Sequence, residues 1–229
     1  YRHYNGRHVQ SLILSHNYLN NRNLKYRNND DSSEDNLTLR LRSTEQKTTL
    51  RFENQTRLGA WTLKEGAELN NSIYTNHSRQ RLYGSHSSTL SIYETSLNIF
   101  GWGAFFSSNY TTADKRLALS AGIRMDGNTY NRKMRQLWKQ FSPRLSASYK
   151  LSEQWTLSGS TGLYHQLPPY TALGYKDNEG QYLNKNLKYM QVFESSLGVD
   201  WHLQDRFMVS AEGFFKRYSR MPLSLQDNI

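Results

Sequence analysis

The sequence has no cysteine and no long apolar run, and each absence excludes a class of protein. Without cysteine, the 229-residue chain cannot be a small secreted domain held together by disulfide bonds. No segment approaches the roughly 20 consecutive apolar residues that a membrane-spanning helix needs, so a helical membrane protein is excluded. Aromatic residues make up 13% of the chain, far more than disordered chains carry. An ordered, polar and aromatic-rich protein remains.

Motifs of enzymes, metal sites and nucleic-acid-binding proteins are also missing. The seven histidines show no metal-ligand spacing, and there is no Gly-x-Ser-x-Gly motif. Gly101 and Gly103 lie inside an apolar segment, which does not suit a phosphate-binding loop between a strand and a helix. The net charge is +10, but Lys and Arg are scattered among polar residues instead of clustering on one element. We therefore expect no catalytic residues, no cofactor, no metal site and no nucleic-acid partner.

Alternation of apolar and polar residues with a period of two is the dominant pattern. It is clearest over 141–151, where the odd positions, Pro143 among them, are apolar and the even positions are polar. The pattern predicts strands that separate an apolar from a polar environment. We predict about nine strands, at 8–20, 37–57, 61–77, 91–110, 116–128, 141–151, 155–166, 188–203 and 207–219. Within 37–57 the apolar residues change from odd to even positions, which predicts a bulge or break around Ser43–Lys47. No sustained helical stripe is present.

Short and long connections alternate between these strands. Short ones are expected at Arg57–Ala60, Thr111–Lys115, Ser152–Gln154 and Gln204–Arg206, and long polar ones at Asn20–Asn36, Ser78–Leu90, Gly127–Gln140 and Leu167–Leu187. This arrangement is typical of an up-and-down antiparallel barrel of the outer membrane, with short turns in the periplasm and long loops outside.

Large aromatic residues cluster beside the short turns and fall on the apolar face. They are Trp61, Tyr149, Trp155, Trp201 and Phe207. Such a ring at one depth is typical of the interfacial girdle of a membrane barrel. A soluble β-sandwich would explain the alternation but not this clustering.

Five segments, in this order, resemble the later barrel strands of TonB-dependent outer-membrane receptors, in particular versions from Bacteroidetes-type bacteria. They are Gly122-Ile-Arg-Met-Asp-Gly127, Phe141-Ser-Pro-Arg-Leu-Ser-Ala-Ser-Tyr149, Tyr164-His-Gln-Leu-Pro-Pro-Tyr170, the run from Asn186 to Asp200, and Glu212-Gly-Phe-Phe-Lys-Arg-Tyr218. The resemblance covers about 100–219 well and 1–99 only in general style. The chain departs from the common pattern at Tyr189-Met190, where many members carry Pro-Glu.

The resemblance implies a barrel of about 22 strands, filled by a plug domain and energised through TonB. An odd number of strands would not close a bacterial barrel, and the chain begins at Tyr1 without an initiator Met or a signal peptide. We therefore expect residues 1–229 to be a partial transmembrane β-barrel domain, without its plug, in the outer membrane of a Gram-negative bacterium. Implied partners are outer-membrane lipid and lipopolysaccharide, the plug and TonB complex of the full-length protein, and surface lipoproteins or another outer-membrane complex.

Two groups of residues are candidates for function. Aromatic and amide side chains in the long loops suit sugars, peptides or aromatic chelates: Tyr130, Trp138, Tyr164, Gln166, Tyr170, Tyr175 and Tyr182. Alternatively, Pro168-Pro169 stiffens the loop and these tyrosines pack on each other. The basic run Arg132–Arg135 could instead contact lipopolysaccharide phosphates.

The second group is polar and is expected to face the lumen: Arg124, Asp126, Arg144, Lys150, Glu194, Asp200, Glu212 and Lys216. Solvation, or hydrogen bonds to the plug, is the alternative to ligand binding for these residues.

Three functions remain open at this stage. The first is TonB-dependent uptake of a scarce nutrient that the loops capture. The second is a receptor-like barrel that acts as a structural scaffold for surface lipoproteins. The third is a soluble basic β-domain that binds polyanions.

Overall fold

The structure is a computed structural model that describes residues 1–83, 88–177, 179–203 and 207–222. Ten strands form one antiparallel sheet in chain order. They are β1 (Arg2–Asn5), β2 (His8–Tyr26), β3 (Leu37–Leu58), β4 (Trp61–Tyr83), β5 (Ser88–Thr111), β6 (Leu117–Asn128), β7 (Ser142–Lys150), β8 (Trp155–Gln166), β9 (Met190–Leu203) and β10 (Phe207–Ser219). The helical pieces within these ranges are one turn of α-helix, α1 (Tyr170–Leu173), and 3-10 turns at Arg27–Asn29, Glu34–Asn36 and Leu137–Gln140.

The sheet is open at both ends of its order. Each strand pairs with the next one along the chain, and no pairing joins β1 to β10 within the described ranges. The expected all-β, up-and-down antiparallel class is confirmed. The count of nine strands was one too low, because the four-residue β1 is too short to show an alternation in the sequence.

One face of the sheet, the apolar face, carries large exposed hydrophobic residues across all the longer strands. Leu14, Leu50 and Leu69 are directly paired on neighbouring strands and are 73%, 42% and 46% exposed. Leu145, Leu157 and Phe215 continue this face on later strands. A water-soluble protein rarely leaves so continuous an apolar surface uncovered, whereas a surface against hydrocarbon requires it. The opposite, polar face carries the charged side chains described below.

Short turns join the strands at one end of the sheet, called here the turn end. Residues 6–7, 59–60, 112–116 and 151–154 make these turns, and Gly59 supports the β3–β4 turn with a φ of 59°. The expected turn Gln204–Arg206 lies outside the described residues. Trp61 packs on Tyr110 with ring centroids 4.7 Å apart, and Trp155 stacks on Trp201 at 5.8 Å. The aromatic residues beside the turns are thus cross-strand pairs on the apolar face.

At the other end, the loop end, two of the expected long connections are wrong. β2 continues to Tyr26, so only 27–36 remains of the Asn20–Asn36 connection, and β4 and β5 extend to Tyr83 and from Ser88. Residues 84–87 lie outside the described residues. The ends of these strands have few apolar residues, so the sequence pattern predicted loops. A strand that extends beyond the hydrocarbon does not need an apolar face. The other two expected long connections are present in the structure, and we call them loop A (129–141) and loop B (167–189).

The expected bulge at Ser43–Lys47 is also wrong. Pairing of β3 with β4 runs without interruption from Leu39 to Leu58, and the register shift between β2 and β3 lies at Lys25/Tyr26 instead. Leu39 and Leu41 therefore point to the polar face, and Leu50 and Phe52 to the apolar face. The change of parity in β3 is therefore a change of the face that its leucines occupy, and not a break in the strand.

Strands β2 to β5 are much longer than a membrane crossing demands. They have 19, 22, 23 and 24 residues, whereas β6, β7 and β8 have 12, 9 and 12. A transmembrane strand needs only about 9–11 residues. The surplus forms what we call the upper wall, residues 15–26, 37–48, 71–83 and 88–99. No helix in the described part of the chain is long and apolar enough to cross a membrane.

Candidate functional site

Loops A and B fold onto the polar face of the upper wall. Side chains from the loops and the strands form a small hydrophobic core between them. Tyr74, Leu97 and Ile99 project from β4 and β5, and Met134 and Leu173 project from the two loops; all are buried. Tyr189, just before β9, completes the cluster. These residues bury apolar surface against each other although the sheet around them is polar, so the loops are packed elements and not free segments.

Hydrogen bonds to loop carbonyls hold this arrangement in place. The Tyr130 hydroxyl lies 2.8 Å from the Leu173 oxygen and 3.0 Å from the Asn184 oxygen, and so connects loop A to loop B. Tyr93 and Thr95 on β5 donate to the Gly174 oxygen at 2.6 and 2.8 Å.

Two further side chains extend the same scheme. Tyr182 in loop B donates back to the Ser96 oxygen at 2.6 Å. Asn131 in loop A donates to the oxygens of Lys185 and Leu187 at 2.9 and 2.8 Å.

The buried tyrosine hydroxyls titrate abnormally. Burial raises the pKa of Tyr130 to about 12, and burial also raises the pKa of Tyr189 to about 12, partly offset by a hydrogen bond from the Asn128 amide at 2.8 Å. Both hydroxyls therefore remain neutral across the physiological range.

A cleft of about 620 Å³ opens on the polar face directly beneath the packed loops. Its wall includes side chains of both charges, amides and aromatic rings: Glu45, Lys47, Glu68, Asn70, Arg124, Asp126, His165, Gln166, Tyr170 and Tyr189. His165 contacts the Ser142 hydroxyl through Nδ1 at 2.9 Å, while its buried Nε2 has no hydrogen-bond partner among the described residues. An unpaired buried nitrogen in the wall of a cleft is suited to receive a ligand group or a water molecule.

A network of ion pairs continues from this cleft along the polar face. Arg124 makes a bidentate contact with Asp126, with N–O distances down to 2.7 Å, and lies 3.9 Å from Glu68. Glu68 also meets Arg51 at 3.5 Å, and Arg51 meets Glu53 at 2.6 Å. The carboxylates are only 12–19% exposed, so these pairs are better shielded from water than ordinary surface pairs.

Gly101 and Gly103 supply the space that this network needs. A Cβ at Gly103 would lie 2.6 Å from an Asp126 carboxylate oxygen, and one at Gly101 would lie 2.7 Å from the Asn70 amide oxygen. Their role is steric, which explains two glycines in the middle of a strand.

All eight residues that were expected to face the lumen occupy the polar face. Pairing across β6 to β10 fixes this, and the structure joins Arg124 to Asp126 and Lys216 to Glu194, the second pair at 3.2 Å. Asp200 accepts a hydrogen bond from Ser210 at 2.6 Å. Arg144 lies over the ring of Tyr164 at 4.5 Å. Lys150 and Glu212 form no ion pair with any described residue. That this face lines the lumen of a complete barrel stays a prediction.

The seven loop candidates divide into packed and accessible residues. Tyr130, Tyr170 and Tyr182 pack against the buried cluster, with Tyr170 stacked on Tyr74 at 5.6 Å. Tyr175 lies beside Tyr93, with centroids 6.3 Å apart.

The remaining three candidates are disposed differently. Tyr164 stacks with Arg144, Gln166 lies at the cleft, and Trp138 is 70% exposed. The tyrosines thus pack on the fold to a large degree, as the alternative interpretation allowed, and binding by any of the seven stays a prediction.

Sequence reasoning missed several residues that build the cleft. Glu45 and Lys47 are in the part of β3 where a bulge was expected, and Glu68 and His165 were not singled out. Strict parity from Glu68 through Asn70 to Ser72 places these three residues of β4 on one face, and this signal could have identified them. No comparable signal in the sequence points to His165.

The described residues contain no group of three or more His, Asp or Glu side chains positioned to hold a metal ion.

Comparisons with known proteins agree on one family. The family model described as TonB dependent receptor-like, beta-barrel, matches residues 1–229. A comparison with curated proteins finds no match.

Solved structures with the same fold include three receptors and transporters. The ferric enterobactin receptor of Pseudomonas aeruginosa, studied as a G324V mutant, has 17% identity and a TM-score of 0.68 over 95% of this chain and 33% of that one. The pyoverdine outer membrane receptor of Pseudomonas aeruginosa PAO1 has 16% identity and a TM-score of 0.63 over 90% of this chain and 33% of that one. The copper transporter OprC has 15% identity and a TM-score of 0.63 over 91% of this chain and 35% of that one.

The chain spans about a third of the length of these structures. At such identities the likeness shows the fold, and the match of the family model over all 229 residues shows the family. The apolar face, the aromatic residues at the turn end and the alternating short and long connections are those of an outer-membrane protein of a Gram-negative bacterium. The chain therefore belongs to the TonB-dependent receptor-like β-barrel family.

Proposed function

We propose that this chain is part of a receptor that takes up a scarce nutrient across the outer membrane by TonB-dependent transport. The supporting observation is the cleft beneath loops A and B. It combines charged groups, amides and aromatic rings with an unpaired buried nitrogen on His165. Such a mixture can orient a polar ligand at the external end of a barrel.

In this proposal the packed loops form a fixed outer wall, and the accessible groups at the cleft contact the ligand. Gln166 and His165 line the cleft from β8, and Arg124 and Asp126 line it from β6. Trp138 in loop A and Tyr175 in loop B are exposed. The plug and TonB complex belong to the full-length protein, as do partner lipids and surface lipoproteins.

The similar proteins suggest which ligands to test first, because they are receptors for ferric enterobactin and pyoverdine and a transporter of copper. The origin of this chain in a Bacteroidetes-type bacterium is part of the same proposal and rests on the sequence resemblance alone.

Growth and uptake measurements test the proposal. A strain without the full-length gene is grown with ferric enterobactin, ferric pyoverdine, copper, cobalamin or a single glycan as the limiting nutrient. We expect a defect for one of them, equal to that of a strain without TonB, and rescue by the wild-type gene but not by Asp126→Asn.

A different result would favour the scaffold alternative. If growth is normal on every nutrient, and the full-length protein purifies in a constant ratio with surface lipoproteins, transport is not its function. The absence of a plug domain in the full-length gene would have the same meaning.

A further inference from the structure

Two polar residues interrupt the apolar face on β3 and β4. Glu65 on β4 lies directly opposite Asn54 on β3, and the Asn54 amide donates to a Glu65 oxygen at 2.9 Å. Glu65 lies four residues from Trp61 in one direction and four from Leu69 in the other, so its side chain points to the same face as theirs. Glu65 is exposed there and forms no ion pair with any described residue. We call Asn54 and Glu65 the polar pair.

The polar pair lies in the middle of the hydrocarbon layer. At the turn end, Trp61 packs on Tyr110. At the other border of the apolar face, Trp102 lies directly opposite Leu69, with Phe100 beside it. The eight residues from Trp61 to Leu69 rise roughly 20 Å at about 3.3 Å per residue and a tilt of about 40°, close to the lipid-facing band of about 25 Å. The polar pair is therefore about 10 Å from either border.

Hydrogen bonds within the sheet leave the polar pair incomplete. The Asn54 amide nitrogen donates to Glu65 and, at 3.2 Å, to the Thr56 hydroxyl, which uses both of its hydrogens. The Asn54 side-chain oxygen is buried and has no hydrogen-bond partner among the described residues. The bond from Asn54 reaches only Oε1 of Glu65, and Oε2 has no donor within the described part of the chain. Water does not hydrate groups at this depth, so unpaired polar groups destabilise the isolated barrel.

The protonation that hydrocarbon imposes defines what the polar pair can bind. A carboxylate surrounded by hydrocarbon takes up a proton because the charged form is too costly there. The polar pair then presents one unpaired donor, the Glu65 hydroxyl, and one unpaired acceptor, the Asn54 oxygen. A lipid chain offers a partner to neither group. A second copy of the same pair offers a partner to both.

The surface around the polar pair suits close contact between two copies. Ala67 and Ala104 lie directly opposite one another, two residues above Glu65, and both are exposed, so they form a shallow notch. Phe52, paired with Ala67, stands beside this notch and is 45% exposed. Small residues allow close approach of two protein surfaces in a membrane, and polar side chains bind across such contacts.

Two-fold symmetry brings these features together. An axis along the membrane normal, between β3 and β4, places Phe52 of each copy against the notch of the other and Asn54 of each copy against Glu65 of the other. Neighbouring strands are about 4.8 Å apart, so at this tilt directly paired residues differ in height by only about 3 Å.

We propose that the polar pair is the centre of a homodimer interface within the membrane, in which Glu65 of each copy donates to the Asn54 oxygen of the other. Two hydrogen bonds within the copies and two between them form a closed ring and leave no group of the polar pair unpaired. The proposal rests on the orientation that the family gives to the apolar face and not on transport. It concerns the opposite face of the sheet from the cleft.

Photo-cross-linking in intact cells tests the contact. Two copies of the full-length receptor with different tags are co-expressed, each with a benzophenone side chain in place of Leu69. We expect a product of twice the receptor's mass that carries both tags. The same probe in place of Leu157, which is equally exposed on the apolar face of β8, is the matched control and should give no such product.

The mass of the purified full-length receptor in lipid nanodiscs and detergent tests the hydrogen bonds. Glu65→Leu should dissociate about tenfold or more readily, because both hydrogen bonds between the copies are lost. It should keep its heat-modifiable band, because leucine suits a lipid-facing position. Glu65→Gln should remain a dimer, because its amide supplies the same donor. Thr161→Leu, which removes a polar side chain from the apolar face of β8, is the control and should also remain a dimer.

Several results would overturn the proposal. A monomeric wild-type receptor would do so, as would equal dissociation of Glu65→Leu and Thr161→Leu. A cross-link from position 69 to a different protein would show that another partner covers the polar pair. Dissociation of Glu65→Gln would show that a negative charge, and not a donor, is what the contact needs. Neither experiment measures nutrient uptake, so their results are independent of the transport proposal.

Discussion

The Tyr130 hydroxyl connects the two large loops, beside the amide of Asn131. It lies within hydrogen-bond distance of one carbonyl near α1 and one further along loop B. The sequence singled out Tyr130 as a residue for ligand contact because tyrosine in a polar loop is chemically versatile. It could not reveal this structural role, since the two carbonyls are 43 and 54 positions away.

Tyr130→Phe should loosen loop B without unfolding the barrel. The substitution removes the Tyr130 donor from the Leu173 oxygen and leaves the Asn184 oxygen with only the Leu187 N–H, at a cost of about 1–2 kcal/mol. Hydrogen exchange of residues 172–187 in the full-length receptor should become faster, while exchange in β6 and β7 stays the same. Trp138→Phe is the control, because Trp138 is 70% exposed and should leave exchange unchanged. Identical protection in Tyr130→Phe and wild type would contradict this role.

The same loops should open at high pH. The pKa of Tyr130 and that of Tyr189 rise from 10.0 to about 12 on folding, so both hydroxyls stabilise the packed loops fully below pH 10. That stability is lost as the pH rises from about 10 to about 12.

Limited proteolysis between pH 8 and pH 12 provides the measurement. Cleavage within loop B should increase above pH 10, and Tyr130→Phe should show a smaller increase relative to its own rate at pH 8. A constant rate over this range would contradict the assignment.

At the scale of the strand, Gly66 shows how the polar face accommodates aromatic rings. A Cβ on Gly66 would lie 2.5 Å from the Phe105 ring, and Arg51 packs over the same ring at 4.6 Å. The same Cβ would also clash with the backbone oxygen of Phe52, which cannot shift without distorting β3.

Gly66→Ala should therefore destabilise the barrel by about 1–3 kcal/mol through overpacking. Gly213→Ala is a matched control in β10, because nothing lies within 4 Å of its Cβ position. The two full-length variants are compared by thermal unfolding in detergent. The readout is the loss of the heat-modifiable band on a gel. Equal unfolding temperatures would show that Phe105 can move aside at no cost.

The strands themselves were largely predictable, and the boundaries that failed share one cause. For β6, β7 and β8, the bounds predicted from the alternation lie within one or two residues of the observed bounds. In the upper wall the polar face packs against loops A and B, and exposed residues such as Arg42 and His77 on the other face follow no apolar period. Length above the membrane is set by strand pairing, which a single sequence does not display.

The candidate site was predictable only in part for a related reason. Parity alone placed Arg124 and Asp126 on one face, and their spacing of two residues made their pairing foreseeable. The cleft, however, depends on loops A and B folding over β4 and β5, and contacts such as Tyr74–Tyr170 join distant parts of the chain. Local pattern carries no information about them.

At the scale of the whole molecule, the apolar face and the turn-end aromatics fix the chain in the bilayer. Trp61, Trp155 and Trp201 lie on that face near the short turns, and Trp138 lies in loop A at the opposite end. The first three should therefore lie at the periplasmic interface.

Fluorescence quenching by brominated lipids measures these depths. In single-tryptophan variants of the full-length receptor, Trp61, Trp155 and Trp201 should be quenched most by lipids brominated near the headgroup, as interfacial tryptophans are. Trp138 should be insensitive to all brominated lipids. Quenching of Trp138, or none at Trp155, would reverse or reject this orientation.

The bonds that fasten the loops have a consequence for how the receptor can diversify. Tyr93, Thr95, Tyr130, Asn131 and Tyr182 all bind main-chain oxygens, and none of these bonds needs a particular side chain on the accepting residue. Mutations at positions such as Leu183 or Lys185 can therefore accumulate while the loop path is maintained. If loop B contacts a ligand as proposed, a lineage can change what it binds by exchanging the exposed side chains of loop B, one at a time, without passing through unfolded intermediates.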